Sequence, residues 1–161
     1  MRPRQFVRPE KEFEEKVIQV NRVSKKTKGG NKISFSVLMV VGDKKGRVGV
    51  GLGKGLDVSR SIRKGITRAK KNLFHVPLVK GTIPHRILVK KGAAKVLLKP
   101  APSGTGLITG GAVRAVAEAA GVQDMVSKIL GTRNKASNVY ATIEAFKRLR
   151  PTKEKSRKGA K

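Results

Sequence analysis

The chain has 161 residues, with 38 Lys and Arg against 10 Asp and Glu, a formal net charge of +28 and a pI near 11.4. Hydrophobic residues at 38% together with 18 glycines suffice for a core, so this is a folded chain of one domain or two small ones and not a basic tail. The longest apolar run, Val37 to Val41, is far short of the roughly 20 residues of a membrane span, and the absence of cysteine excludes disulfides and thiolate metal sites.

In chain order, residues 1–12 read as a flexible arm, with Glu10 to Lys16 able to form a helical turn. Val17 to Val23 is β-branched and predicts a strand. Ser24 to Lys32 is a lysine-rich turn around Gly29-Gly30, and Ile33 to Val41 a buried second strand. Gly42 to Gly46 is a hairpin turn and Arg47 to Gly53 a third strand, completing an antiparallel meander. A helix follows over Asp57 to Phe74 with Asp57 as N-cap, an apolar stripe of Val58, Ile62, Ile66, Ala69 and Leu73, and Arg60, Arg63, Lys64, Arg68 and Lys71 on its other side.

Residues 77–83 read as a Pro/Gly linker that hinges two halves. Strands at His85 to Val89 and Ala94 to Leu98 come next, then a glycine-rich loop over Pro100 to Gly111. A short Ala/Val helix over Ala112 to Ala120 ends at Gly121. Val122 to Leu130 predicts a strand, and Asn134 opens a last helix reaching Arg150. Residues 151–161 form a basic tail. The fold class is therefore α+β: a β-β-β-α unit over 13–76 and a β-β-α-β-α unit over 84–150.

Two glycine patterns invite a nucleotide. Gly49, Gly51, Gly53 and Gly55 give neither G-x-G-x-x-G nor a P-loop. They leave one strand face bare, open either to the following helix or to an RNA backbone. The loop Pro102-Ser103-Gly104-Thr105-Gly106-Leu107 precedes a helix whose N-terminus favours anions. Thr109 stands where the dinucleotide fingerprint needs its third glycine. The loop also resembles the phosphate loop of kinases of the galactokinase and homoserine kinase type, with Thr109 and Gly110 in place of the serine pair. A small ATP-dependent kinase using residues 100–111 is accordingly the alternative. His75 and His85 are the two histidines and acids are sparse, so no catalytic or metal constellation and no cofactor is expected.

Charge is densest over residues 22–76, with fifteen basic and two acidic groups. The candidate RNA-binding residues are Arg22, Lys25, Lys26, Lys28, Gly29, Gly30, Lys32, Lys44, Lys45, Arg47 and Lys54 on the meander, and Arg60, Arg63, Lys64, Arg68 and Lys71 on the helix. With six aromatics and no stacking cluster, contact to phosphates and recognition of RNA shape are favoured over base stacking.

The stretches Asn21-Arg22-Val23-Ser24-Lys25, Lys28-Gly29-Gly30, Val40-Val41-Gly42-Asp43, Gly46-Arg47-Val48-Gly49-Val50-Gly51 and Gly53-Lys54 resemble the small ribosomal subunit protein five family, bacterial type. So do Gly81-Thr82-Ile83-Pro84-His85, Gly104-Thr105-Gly106-Leu107-Ile108, Gly110-Gly111-Ala112-Val113-Arg114 and Ala141-Thr142-Ile143. The resemblance covers about residues 13–150. It implies an N-terminal domain like a double-stranded-RNA-binding domain and a C-terminal domain sharing the fold of those kinases without their activity. It implies 16S ribosomal RNA as partner in a cytoplasmic ribosome, small-subunit proteins four and eight as neighbours, a hold of head on body, and an influence on decoding accuracy. Neither a homo-oligomer nor a membrane is expected. Lys25 to Lys32 match the family's RNA-approaching hairpin, and Gly104, Thr105, Gly106 and Arg114 its face towards protein four. Lys135 and Tyr140 depart from the family pattern, which commonly has Pro and Arg there.

Overall fold

The computed structural model describes residues 12–151. The predicted arm and tail lie outside this range except for their innermost residues. Strands β1 (Glu14–Thr27), β2 (Gly30–Gly42), β3 (Arg47–Gly55) and β4 (Phe74–His75) form one antiparallel sheet in the order β1-β2-β3-β4, with helix α1 (Val58–Lys71) between β3 and β4. A second sheet has the order β5-β6-β8-β7, built from β5 (Ile87–Lys91), β6 (Ala94–Pro100), β7 (Leu107–Ile108) and β8 (Met125–Ile129). Helix α2 (Gly111–Ala120) joins β7 to its parallel neighbour β8, and α3 (Lys135–Arg148) closes the described chain.

The unbroken apolar run in β2 has a simple cause: both faces of the first sheet are covered. On one face Met39 meets α1, whose Gly65 is so close that a Cβ there would press on the methionine side chain. On the other, Leu38 and Val40 join Val48 and Val50 of β3 in a cluster that continues into Val89, Val96, Leu98, Met125 and Phe146 of the second half. Helix α2 lies inside this cluster, with seven of its ten residues buried, which is why it is written in Ala and Val, with only Gly111, Arg114 and Glu118 left on its outer edge. The two halves therefore share one core. Residues 77–83, expected to hinge them, are tied in: Val76 and Ile83 at its edges are buried, and Val79 pairs with Thr82.

The main chain seals the junction. The last four carbonyls of a helix lack intrahelical partners. In α2, Gly121, left-handed at φ 86°, donates its amide to Ala117 and Glu118, and Val122 also reaches Ala117. The remaining two are met from the first half, by the amides of Lys44 on Ala119 O (3.1 Å) and Gly46 on Ala120 O (2.9 Å). Contact is so close that a Cβ at Gly121 would overlap the Lys44 carbonyl, and one at Gly42 the Ala119 carbonyl. Gly121→Ala should therefore lower stability by about 2 kcal/mol, read as a lower urea midpoint, because it combines a strained φ with overpacking.

Several predicted boundaries are corrected. Glu14 to Lys16 are strand, not helical turn, because they pair with Val40 to Gly42; the tertiary ladder outweighs the helix preference of Glu and Lys. Most of the predicted turn over Ser24 to Lys32 is strand as well, leaving only Lys28 and Gly29 between β1 and β2. Helix α1 stops at Lys71, and Phe74 pairs with Val48 instead of ending the helix. Asp57 occupies the N-cap but makes no side-chain cap bond, its carboxylate facing Arg60 at 3.4 Å. The last helix ends at Arg148 rather than Arg150. The strand expected over 122–130 narrows to β8 because Val122 is spent capping α2. β7 was not foreseen; two residues are too short to show a period.

Candidate nucleic-acid interface

The alternating glycines of β3 are a seat for α1. A Cβ at Gly49 would overlap the carbonyl of Ala69, one at Gly51 that of Gly65, and one at Gly53 that of Ser61. Helix backbone thus lies directly on strand backbone, and this face is closed to RNA. Ser61 adds a lateral bond, its hydroxyl donating to Phe35 O at 3.1 Å and Asp57 O at 2.8 Å. With its small-residue side seated, α1 turns Arg60, Arg63, Lys64, Arg68 and Lys71 to solvent. Arg68 has a second task, donating from Nη1 to Leu52 O at 2.7 Å.

β2 outruns β3. Their pairing ends at Phe35 with Gly55, while β1 and β2 continue together for five more pairs, from Val23 with Ser34 to Thr27 with Gly30. At about 3.4 Å per residue this two-stranded arm projects roughly 15 Å beyond the sheet. Thr27 and Gly30 close its tip, with the Thr27 hydroxyl on Gly30 O at 2.7 Å and Gly30 at φ 118°. Lys25, Lys26, Lys28 and Lys32 are all exposed on it, and Lys25 stands directly opposite Lys32. Like charges in that register oppose folding, and a bare two-stranded ribbon is marginal in water. The arm's sequence makes sense with a polyanion along it.

Arm and helix meet. Phe35, at the arm's base, holds Ser61 of α1's first turn and pairs with Arg22. Arg22, Lys54 and Arg60 therefore surround the base, and Arg63 and Lys64 continue from it along α1. Lys44, Lys45 and Arg47 do not belong to this group. They lie at the other end of β3, about 27 Å away by strand rise, among acids: Lys44 pairs with Glu14 at 2.8 Å, and Arg47 with Asp43 at 2.6 Å and Glu12 at 3.4 Å. The neighbouring Glu14 holds the Lys44 ammonium above its ordinary range. Arg47 also lies 5.2 Å from the Phe13 ring. Lys44 and Arg47 are already partnered within the chain, whereas Lys45 is exposed and bonds Asp43 through its backbone amide alone.

Asp43 organises that turn. Burial pushes its carboxyl up, but the Arg47 guanidinium and the amides of Lys45 and Arg47 outweigh it and hold the group below the usual value of 3.8. A depressed folded pKa means stability present at neutral pH and lost as pH falls through the acid range below about 4. Asp43→Asn should flatten that part of the stability-versus-pH curve in urea titrations between pH 5 and pH 2.5.

In the second half, Pro102 to Thr105 make an exposed turn, Thr105 donating to Pro102 O from both its amide (3.3 Å) and its hydroxyl (2.8 Å). Gly104 and Gly106 have φ of 90° and 73°. Arg114 reaches back to Leu107 O at 2.7 Å, so the four predicted interface residues share one surface. The loop's interior already holds an anion: Asp124, 6% exposed, accepts the Gly106 amide at 2.7 Å. A nucleotide phosphate cradled there would meet this carboxylate, which argues against the kinase alternative. Among the described residues no cluster of acids and histidines could hold a metal, and no helix is long and apolar enough to cross a membrane.

Sequence reasoning missed a further set of cations. Register places Lys90, Lys95, Lys99 and Lys128 on the open face of the second sheet, away from α2 and α3. The alternation of Lys95, Leu97 and Lys99 with buried Val96 and Leu98 carried that signal.

Comparison with known proteins agrees with this architecture. The family model described as ribosomal protein S5, N-terminal domain, matches residues 13–77, and that described as ribosomal protein S5, C-terminal domain, matches residues 89–158. The chain is 51% identical over 138 residues to small ribosomal subunit protein uS5 of Thermotoga neapolitana, covering 86% of this chain and 78% of that one. It is 53% identical over 136 residues to uS5 of Syntrophobacter fumaroxidans, covering 84% and 82%. Against uS5 of Chloroflexus aurantiacus it is 51% identical over 144 residues, covering 89% and 81%. The chain belongs to the ribosomal protein S5 family.

Proposed function

We propose that the chain is a structural, non-enzymatic constituent of the small ribosomal subunit in the cytoplasm, bound to 16S ribosomal RNA through the arm and the adjoining face of α1. The observation that carries this reading is the projecting arm, with four lysines, no carboxylate and a like-charged cross-strand pair. It is a poor structure alone and a good one against phosphates. An RNA surface and a protein surface carried on one shared core suit a part that holds the subunit's head on its body. The surface formed by Gly104, Thr105, Gly106 and Arg114 is assigned to small-subunit protein four, through which the chain influences decoding accuracy, and protein eight is its second protein neighbour.

The test is co-sedimentation. Added to small subunits reconstituted without it, the chain should sediment with them and stay bound in moderate salt. Binding to 16S RNA through about 6–10 phosphates should weaken by roughly 10³–10⁵ between about 50 and 200 mM salt. Equal affinity for 16S RNA and random duplex in competition would point instead to a general nucleic-acid chaperone.

A further inference from the structure

A cavity of about 620 Å³ lies where the bulged stretch of β1 passes the N-terminus of α2 and the start of α3. Its charged lining is Lys16, Arg133 and Lys135, with no carboxylate. Lys16 pairs with Glu118 outside the lining, while Arg133 and Lys135 have no ion-pair partner among the described residues. Gly111 at the wall opens α2 behind a glycine N-cap, with no side-chain cap and no acidic residue in the first turn. The positive end of the helix therefore faces the same space as the cations.

Asn138 supplies the second requirement. It is 2% exposed and lines the cavity; its Nδ2 donates to Thr132 O at 2.8 Å, which fixes the orientation of the amide. Its Oδ1 is buried without a hydrogen-bond partner among the described residues. The occupant must bring an anion to the rim and, beside it, a donor for this oxygen, with an apolar surface to lie on Ile129. Inorganic phosphate can bring a P–OH donor but has no apolar surface to lie on Ile129. A ribonucleotide has all three parts: the phosphate, a 2′-hydroxyl or exocyclic amine, and the base. The volume is of the size that takes such a ligand.

We propose that this cavity takes one unstacked nucleotide of a bound RNA, its phosphate between Arg133, Lys135 and the α2 N-terminus and its donor on Asn138 Oδ1. This rests on the RNA-binding reading but uses a different surface, roughly 30 Å along β1 from Lys25. RNA gripped by the arm would then be held at a second point on the far side of the sheet.

The experiment is an amide NMR titration of the full chain with four probes: 5′-AMP, inorganic phosphate, a glutamate-rich hexapeptide and a single-stranded RNA tetranucleotide. AMP and the RNA should both move the Asn138 side-chain amide and the Gly111 and Ala112 backbone signals, the RNA binding about fivefold more tightly through its flanking phosphates. Arg133→Glu with Lys135→Glu should weaken both by about tenfold or more and leave arm-dependent duplex binding unchanged. The proposal is overturned by equal shifts from phosphate alone (an anion site only), by the hexapeptide producing them (a protein site), by AMP binding as tightly as the RNA (a free-nucleotide site), or by no shifts at these signals. Failure of the arm reading would show separately, as unchanged duplex binding in an arm variant.

Discussion

Gly51→Ala with Gly53→Ala should cost about 4–6 kcal/mol, comparable with the whole stability of a small domain at about 5–15 kcal/mol. Each Cβ would overlap a backbone carbonyl of α1, at Gly65 and Ser61, and a backbone atom cannot rotate away as a side chain can. Relief requires lifting the helix off the sheet, which exposes Met39 and Ala69 together. Urea unfolding followed by circular dichroism should show a midpoint far below the parent's. Gly29→Ala is the control: nothing lies within 4 Å of its Cβ position, and its stability should match the parent. Near-parental stability in the double variant would mean that α1 is not seated as described.

Replacing Lys25, Lys26 and Lys28 together by Ala should lower the slope of log affinity against log salt by about 2.7, close to 0.9 per lost phosphate contact, while leaving the fold intact. Removal of Lys25 from opposite Lys32 relieves a repulsion, so stability should hold or rise slightly. Lys44→Ala should leave the slope unchanged, because its ammonium faces Glu14. On α1, Arg63→Glu with Lys64→Glu is the cleaner reversal. Arg68→Glu would also break the bond to Leu52 O and mix a packing effect into the binding result. Filter binding to 16S RNA across a salt series reads all of these; an unchanged slope in the arm variant would remove the arm from the interface.

The sequence was most readable where a pattern had one cause. The spacing of Val58, Ile62 and Ile66 located α1 but not its buried side, which is the small-residue row Ser61, Gly65 and Ala69 while the stripe itself is half-buried. Asn134 gave α3 because its side chain does accept the Ala136 amide, at 3.0 Å. The glycines of β3 left two readings open, since a bare strand face serves a helix backbone and an RNA backbone equally well; only the position of α1 chooses between them. The arm was hidden because lysine, glycine and asparagine spell a turn locally, and the strand there exists through cross-strand pairing. Lys44 and Arg47 looked equivalent to Lys25 along the chain, but their partners Glu12 and Glu14 lie some thirty positions earlier and meet them through the β1–β2 register. The cavity at Asn138 had no signal at all, being assembled from β1, α2, the loop after β8 and α3.

The most direct test of the central claim is tethered hydroxyl-radical cleavage in reconstituted small subunits. The chain has no cysteine, so Lys28→Cys and Arg63→Cys each give a single attachment point for an iron chelate. Both positions should cut 16S RNA strongly, at sites close to one another, as expected for an arm tip and a helix face gripping one RNA region. Absence of RNA cleavage from both positions would contradict the assignment of this surface to RNA.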